Sequence, residues 1–301
     1  MNRFITLLIS LLLYTVSGKA QSTLSSNALS QSTGTVSQEA MPTKTAAAES
    51  PIYVKLYGVY GLLTPGVQIQ YSQSQSQTGI AFPFKTTNKG LGAGPRAGVG
   101  IGLIASDFIN IGIDADMLFG SAVNITNSYD DGTYSYTNSS STTLKVVSVI
   151  PNITFKALSR PSYYIYNRLG LVGGVVLDYK TVTNGVSVAK NGTSNTFNST
   201  NSYTSNSLAL GYQAALGIQF RLSQAIRGFA EVVFYNQSFK PKRLEVTTAN
   251  VIGGKPTTSL VVTDYIDEGS IVNSTTQPNK ALSYNVAMNS VGVGAGLVFR
   301  F

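Results

Sequence analysis

Apolar side chains occupy every second position in several segments of this sequence, and this alternation constrains the fold more than any other feature. In the last segment, 291–301, apolar residues alternate with small or polar ones. Alternation of this kind indicates a strand with one apolar face, because successive side chains of a strand point to opposite sides of the sheet. The pattern therefore predicts an all-β fold.

Eight segments alternate in this way, each near the length that a tilted strand needs to cross the apolar layer of a membrane. We predict strands over 53–63, 92–105, 108–119, 144–157, 163–180, 207–222, 226–235 and 284–301. Three connections are short, at 106–107, 159–162 and 223–225, and the other four are long and polar. These features predict a transmembrane up-and-down antiparallel β-barrel of eight strands, with short periplasmic turns and long extracellular loops.

An even number of strands lets the first pair with the last, which removes both sheet edges and places both termini in the periplasm. Composition supports this reading, because only 11% of the residues are charged, against about 25% in soluble domains. A soluble secreted β-protein is the alternative, and the many outward Leu, Ile, Phe and Tyr side chains argue against it.

The N-terminal segment has the features of an export signal. Arg3 precedes an apolar run at 4–13 and a small-residue site at 18–20, which predicts a signal peptide over 1–20. The run is too short for a comfortable membrane-spanning helix. Residues 21–50 are rich in Ser, Thr and Ala without apolar periodicity, so we expect a flexible periplasmic tail before a barrel domain at 51–301.

Five charged residues fall on the inward face of the predicted strands: Arg96, Asp114, Asp116, Arg168 and Glu231. Asp114, Arg168 and Glu231 lie at similar heights above the short turns, and Asp116 lies near Arg96 higher up, so these residues are expected to pair across the lumen. The network is either structural or a gate for ions, and we favour the structural role. Because the side chains of an eight-stranded barrel are enough to fill its interior, a general porin is not expected.

The sequence offers little chemistry for catalysis. It contains neither histidine nor cysteine, which excludes His-dependent acid/base catalysis, disulfides and Cys or His metal sites. We therefore predict no catalytic residue, no cofactor and no metal. The acidic groups at 130–131 and at 264, 267 and 268 could offer oxygen ligands to Ca²⁺, but turn chemistry explains them better.

A family resemblance rests on three features: the glycine-rich strand at 92–105, the Ser106-Asp107 turn and the aromatic end at Phe301. With these features the chain resembles the small outer-membrane barrels of the OmpA-like and OmpX-like type, particularly those of Bacteroidetes-type bacteria. The resemblance implies a location in the bacterial outer membrane. It also implies that Leu297, Phe299 and Phe301 form the C-terminal signal that the barrel-assembly machinery reads.

Other contacts are expected with the membrane and through the loops. Three basic residues follow the seventh predicted strand: Lys240, Lys242 and Arg243. They either contact lipopolysaccharide phosphates or lie in solvent at the start of an ordinary loop. The alternation at 258–266 predicts strands above the membrane, with an edge open to a partner strand. Nucleic acid is not expected, because the chain is exported and its basic residues are dispersed.

Two functions stay open from the sequence. The first is a non-enzymatic surface binding, adhesion or envelope-structural protein. The polar loops, together with a barrel that has no predicted catalytic residue, indicate this function. The second is a narrow channel or small-molecule transporter, which the lumenal charges indicate.

Overall fold

Backbone hydrogen bonds join eight strands into a closed ring in the computed structural model of this chain. The structure describes residues 51–64, 67–76, 79–81, 84–87, 90–252, 254–269 and 278–301. The predicted signal peptide and tail, at 1–50, lie outside the described residues. Within those residues, no helix has the length and apolarity needed to cross a membrane.

The described strands, in chain order, are β1 (Ile52–Leu63), β2 (Val67–Ser76), β3 (Gly79–Ala81), β4 (Phe84–Thr87), β5 (Gly94–Ile104), β6 (Ile109–Phe119), β7 (Val123–Asp130), β8 (Tyr134–Ser159), β9 (Tyr163–Ala189), β10 (Ser194–Asn206), β11 (Ala209–Arg221), β12 (Ile226–Phe239), β13 (Pro241–Ile252), β14 (Lys255–Ile266), β15 (Asn279–Leu282), β16 (Val286–Ala287) and β17 (Ser290–Arg300).

The ring runs β1–β5–β6–β8–β9–β11–β12–β17 and returns to β1, with every neighbouring pair antiparallel. Closure is visible at Tyr57, which pairs with Gly98 of β5 on one side and with Gly296 of β17 on the other. The prediction of an all-β antiparallel barrel is confirmed. The three short turns also connect the strand pairs that the sequence predicted.

The predicted total of eight strands holds for the ring alone and is wrong for the chain. The segments expected to be loops form further strands, and β8 and β9 extend to 26 and 27 residues, well beyond the roughly ten that cross a membrane. These extensions are mostly polar, with Val182, Val186 and Val188 sharing one face of β9 with Lys180 and Asn184, so they lack the continuous apolar alternation that marks a membrane strand. The last ring strand begins at Ser290, rather than at 284.

Strands β7, β10, β13 and β14, with the extensions of β8 and β9, form a second sheet region beyond the ring. We call it the upper sheet and define it as residues 123–143, 180–206, 241–252 and 254–266. Its strand order is β7–β8–β9–β10–β13–β14, all antiparallel. The predicted strand at 258–266 is confirmed as part of β14. Because β8 and β9 run without interruption from the ring into the upper sheet, the two regions share one hydrogen-bonded framework.

Small residues of β5 make room for large side chains inside the ring. A Cβ atom at Gly98 would overlap the ring of Tyr57, and one at Gly100 would overlap the carboxylate of Asp114. The glycines of this strand therefore allow side chains from β1 and β6 to reach across the interior, as expected for a narrow lumen.

An apolar cluster fills the ring interior at the end where the long connections lie. Tyr179 stacks on Tyr203 with centroids 4.1 Å apart, and Phe239 meets Tyr179 edge-on at 5.4 Å. Leu118 and Met288 belong to the same cluster and are fully buried. The lumen is thus packed with apolar groups at this end.

Candidate functional site

All five charged residues predicted to face the lumen are buried inside the ring: Arg96 on β5, Asp114 and Asp116 on β6, Arg168 on β9 and Glu231 on β12. Each is at most 5% exposed. The alternation of β5, β6, β9 and β12 turns these side chains inward, because the positions beside them in sequence point to the outer face.

Arg168 joins the two carboxylates of a central tier. Its Nη1 lies 2.6 Å from Asp114 Oδ2, and its Nη2 donates to Glu231 Oε1. Lys55 Nζ approaches the same oxygen of Asp114 at 2.5 Å, and the Tyr166 hydroxyl donates to Glu231 Oε2 at 2.8 Å. Arg168 therefore holds together three strands of the ring through one planar group.

Asp116 is the centre of a second tier. Arg96 Nη1 lies 3.2 Å from Asp116 Oδ1, and the Tyr235 hydroxyl donates to Asp116 Oδ2 at 2.8 Å. Tyr57 adds a longer bond to the same oxygen, at 3.4 Å. The guanidinium carbon of Arg96 also lies 4.0 Å from the centroid of the Tyr235 ring, a cation–π contact.

The two tiers together hold three cations and three carboxylates, so their formal charges cancel. The network also includes four residues that were not among the five predicted to form it: Lys55, Tyr57, Tyr166 and Tyr235. Alternation gives the face of a residue, whereas its partner depends on the register between strands, which the sequence does not show. Cancellation matters because a buried ion without a partner costs several kcal/mol.

The space left inside the ring near the central tier is small. A cavity of about 30 Å³ lies beside Tyr53, Asn152, Tyr166, Arg168 and Glu231. A water molecule needs roughly 10–15 Å³ of such volume, so this cavity holds about two. The interior is filled largely by its own side chains.

The outer face of the ring is apolar on every strand. Each of the eight strands exposes at least one large aliphatic side chain, for example Leu56, Ile101, Ile113, Val149, Leu171, Leu216, Val232 and Val293. Leu171 is 69% exposed and Leu216 is 62% exposed. A continuous apolar belt of this kind is unusual on a soluble monomer.

Aromatic side chains border the belt at both ends. Near the short turns, the outer face carries Phe108, Phe155, Tyr163, Phe220 and Phe301. Towards the upper sheet it carries Tyr60, Phe119 and Tyr212, and Phe234 packs beside Tyr212 at 6.0 Å. Two such girdles are typical of barrels that sit in a bilayer.

The three C-terminal residues proposed as an assembly signal lie on and just beyond β17. Leu297 and Phe301 are 40% and 72% exposed, and Phe299 pairs in register with Val54 and with Ile226. They therefore occupy the strand that closes the ring, at its short-turn end.

The basic residues after β12 are exposed and lie beside acidic groups. Lys240 Nζ is 2.6 Å from Asp267 Oδ1, and Arg243 lies 3.6 Å from Glu245 and 3.8 Å from Asp264. The hydrogen bonds of Asp267 with Lys240 and Ser283 hold the pKa of its carboxyl below the ordinary value. Of the three predicted lipopolysaccharide contacts, Lys242 is the one with no acidic neighbour within ion-pair distance in the described part of the chain.

The acidic turn at 130–132 is occupied by backbone donors. Asp131 Oδ1 accepts the amides of Thr133 and Tyr134 at 2.8 Å, and Asp130 Oδ1 accepts the amide of Gly132 at 2.8 Å. The hydrogen bonds that the backbone amides of Tyr134 and Thr133 donate to Asp131 lower the pKa of its carboxyl group. Turn formation thus accounts for these carboxylates, and the described residues contain no group of three or more acidic side chains arranged to hold a metal ion.

No family model and no curated protein matches this sequence. Among solved structures, similarity is found to the outer membrane protein AlkL in lipid bilayers, at 10% identity and a TM-score of 0.35, covering 88% of this chain and 97% of that one. It is also found to CarO of Acinetobacter baumannii (12% identity, TM-score 0.30, 83% and 98% covered). The outer membrane protease OmpT of Escherichia coli is similar at 11% identity and a TM-score of 0.30, with 85% and 99% covered. At these values no property of those proteins transfers to this chain.

Proposed function

We propose that this chain is a bacterial outer-membrane β-barrel with a filled lumen, which serves at the cell surface as a non-enzymatic binding or envelope-structural protein. The observation that carries the proposal is the contrast between the two faces of one closed ring. Every ring strand exposes apolar side chains outward, whereas the two tiers inside the ring form a neutral, mutually paired set of charges.

The closed ring supports a membrane location on physical grounds. A strand in lipid must have all its backbone groups paired, and a closed barrel is the β-structure that achieves this. The apolar belt with its aromatic girdles matches the surface that lipid would cover. In this arrangement the upper sheet stands outside the cell, and the short turns face the periplasm.

The non-enzymatic assignment follows from the residues inside the ring. The chain has no histidine, and each interior carboxylate already accepts bonds from a cation and a tyrosine or a second cation. These groups are not disposed towards a substrate. Binding is therefore assigned to the upper sheet, with Lys242 as a contact for lipopolysaccharide and residues 297–301 as the contact for the assembly machinery.

A narrow channel or small-molecule transporter is the second candidate, and the interior charges are the observation that favours it. Such a pathway would require Arg168 and its partners to separate, because they occupy the interior in this structure. Conductance of the refolded chain in a bilayer distinguishes the two candidates.

The orientation can be tested by cysteine labelling, because the chain has no cysteine of its own. We expect Asn191→Cys, in the exposed turn between β9 and β10, to react with a membrane-impermeant maleimide on intact cells. Gln224→Cys, in the exposed turn between β11 and β12, is the matched control and should react only after the outer membrane is permeabilised. Labelling of both sites on intact cells, or recovery of the chain in the soluble periplasm, would contradict the proposal.

A further inference from the structure

A cavity of about 550 Å³ lies on the upper sheet, and a row of side chains in register across five neighbouring strands lines part of it. The row consists of Ser139, Asn184, Asn198, Ala249 and Thr258. These residues are exposed. Ser139 lies on the same side of β8 as Val147 and Val149, so the cavity is on the face that continues the outer face of the ring.

A second row beside the first adds apolar groups between hydroxyls. Thr137, Val186, Thr196 and Val251 are neighbours in register, and Val186 and Val251 are 42% and 40% exposed. None of the residues lining the cavity is charged. The surface therefore offers methyl groups next to amides and hydroxyls, without a net electrostatic preference.

The two asparagines in the cavity orient each other. Asn198 Nδ2 donates to Asn184 Oδ1 at 2.5 Å. This bond leaves Asn184 Nδ2 as a donor and Asn198 Oδ1 as an acceptor, and neither has a protein partner among the described residues. An amide donor and an amide acceptor are thus held side by side and face solvent.

The opposite face of the same sheet shows what a purely structural polar row looks like. There Ser140 bonds to Thr183 at 2.8 Å and Thr142 bonds to Thr181 at 2.9 Å, so cross-strand hydroxyls satisfy one another. Such pairs stabilise the sheet. In the described structure, no such hydroxyl partner is found for the four side chains of this face that line the cavity, Thr137, Ser139, Thr196 and Thr258, which makes their hydroxyls available to a ligand.

We propose that this cavity binds a neutral oligosaccharide. A sugar ring presents C–H groups that pack on methyl groups and hydroxyls that both donate and accept hydrogen bonds, and the two rows match that combination. Five strands span about 19 Å, so the cavity accommodates several linked sugar units. An anionic polymer would require cationic side chains, which the cavity lacks.

A peptide added as a strand is a poorer fit to this surface. Strand addition uses the unpaired edge of a sheet, whereas β8, β9, β10 and β13 already pair on both sides at this height. Among the described residues, β14 at 255–262 pairs with β13 alone, so the open edge lies at the border of the cavity and not across its floor. Recognition on the sheet face must therefore come from side chains. The inference rests on the proposed function, because a glycan outside the cell is reached only if the upper sheet is exposed there.

The test uses the full chain, refolded in detergent, on an array of neutral and acidic oligosaccharides. The polysaccharide of the producing cell's own lipopolysaccharide forms a separate arm. We expect binding to neutral glycans, and we expect Asn184→Ala combined with Asn198→Ala to weaken it at least about tenfold through lost side-chain hydrogen bonds. Val186→Asp, which introduces a charge at an exposed position, should weaken it independently.

The matched control is Thr143→Ala combined with Ser202→Ala, which removes hydroxyls from the same face of the same sheet outside the cavity. It should bind like the unchanged chain. Binding to the cell's own polysaccharide alone would identify the ligand as part of the same surface, and binding to array glycans would identify an external one; both support the inference.

Absence of binding by folded protein both to the neutral array glycans and to the cell's own polysaccharide, binding to acidic glycans only, or binding that the Asn and Val variants leave unchanged would overturn it. The cysteine-labelling experiment tests the proposed function independently of the glycan array. An error in the proposed function would therefore be distinguished from an error in this inference.

Discussion

Replacing Arg168 with methionine is expected to lower the free energy of unfolding by about 3–5 kcal/mol, because removing one partner of a buried ion pair leaves the others uncompensated. Arg168 contacts both Asp114 and Glu231, and all three are nearly inaccessible to solvent. Methionine fills much of the same volume, so the decrease in unfolding free energy measures the loss of charge pairing rather than the effect of a cavity. The chain has no tryptophan, so urea unfolding in lipid vesicles is followed by circular dichroism and by heat-dependent gel mobility.

Two further variants make this result specific. Adding Glu231→Gln to Arg168→Met should restore part of the stability, because it removes one of the orphaned charges. Arg243→Met is the matched control: Arg243 is about half exposed and forms ion pairs at 3.6 Å or longer, so its loss should cost less than about 1 kcal/mol. If Arg168→Met were no more damaging than Arg243→Met, the network would not stabilise the barrel.

Replacing Leu171 with arginine is expected to destabilise the protein in a bilayer by about 2–4 kcal/mol, the cost of a cation on the lipid face near the midplane of a barrel. Leu171 is 69% exposed on β9, between the two aromatic girdles. On a soluble protein, a charge at so exposed a position would change stability by only about 0.5 kcal/mol. The size of the effect therefore shows whether the apolar belt faces lipid or water.

Thr200→Arg is the control for the lipid-facing substitution. Thr200 lies on β10 in the upper sheet, which we place outside the bilayer. Its replacement should leave both the unfolding free energy in vesicles and the yield of folded barrel nearly unchanged. Equal effects of Leu171→Arg and Thr200→Arg would argue that lipid does not cover the belt.

The ring was predictable from sequence because its signal is local. Residues such as Ile111, Ile113 and Asp114 show their faces through alternation alone, and the short turns fix which strands are neighbours. The same alternation placed the five charged residues inside the ring. Burial of one face and exposure of the other to lipid is a strong constraint on sequence, so this part of the fold leaves a clear pattern.

The upper sheet was largely missed because its physical constraint is weaker. In β10, for example, Asn198 and Thr200 face one side and Ser199 and Asn201 the other, so neither face is apolar and no period appears. These strands are held by backbone pairing between segments far apart in sequence, such as β10 with β13. The cavity depends on that register too, and its two rows become visible once five strands are aligned.

The central claim is that the lumen is filled and the outer face lies in lipid, and the most direct test is conductance of the refolded chain in planar bilayers. Insertion is verified by heat-dependent gel mobility, and a general porin reconstituted in the same way is the positive control. We predict no steady conductance, either for the unchanged chain or for Asn184→Ala. A steady current that changes in Asp114→Asn or Glu231→Gln would contradict the account and identify the interior charges as the lining of a pore.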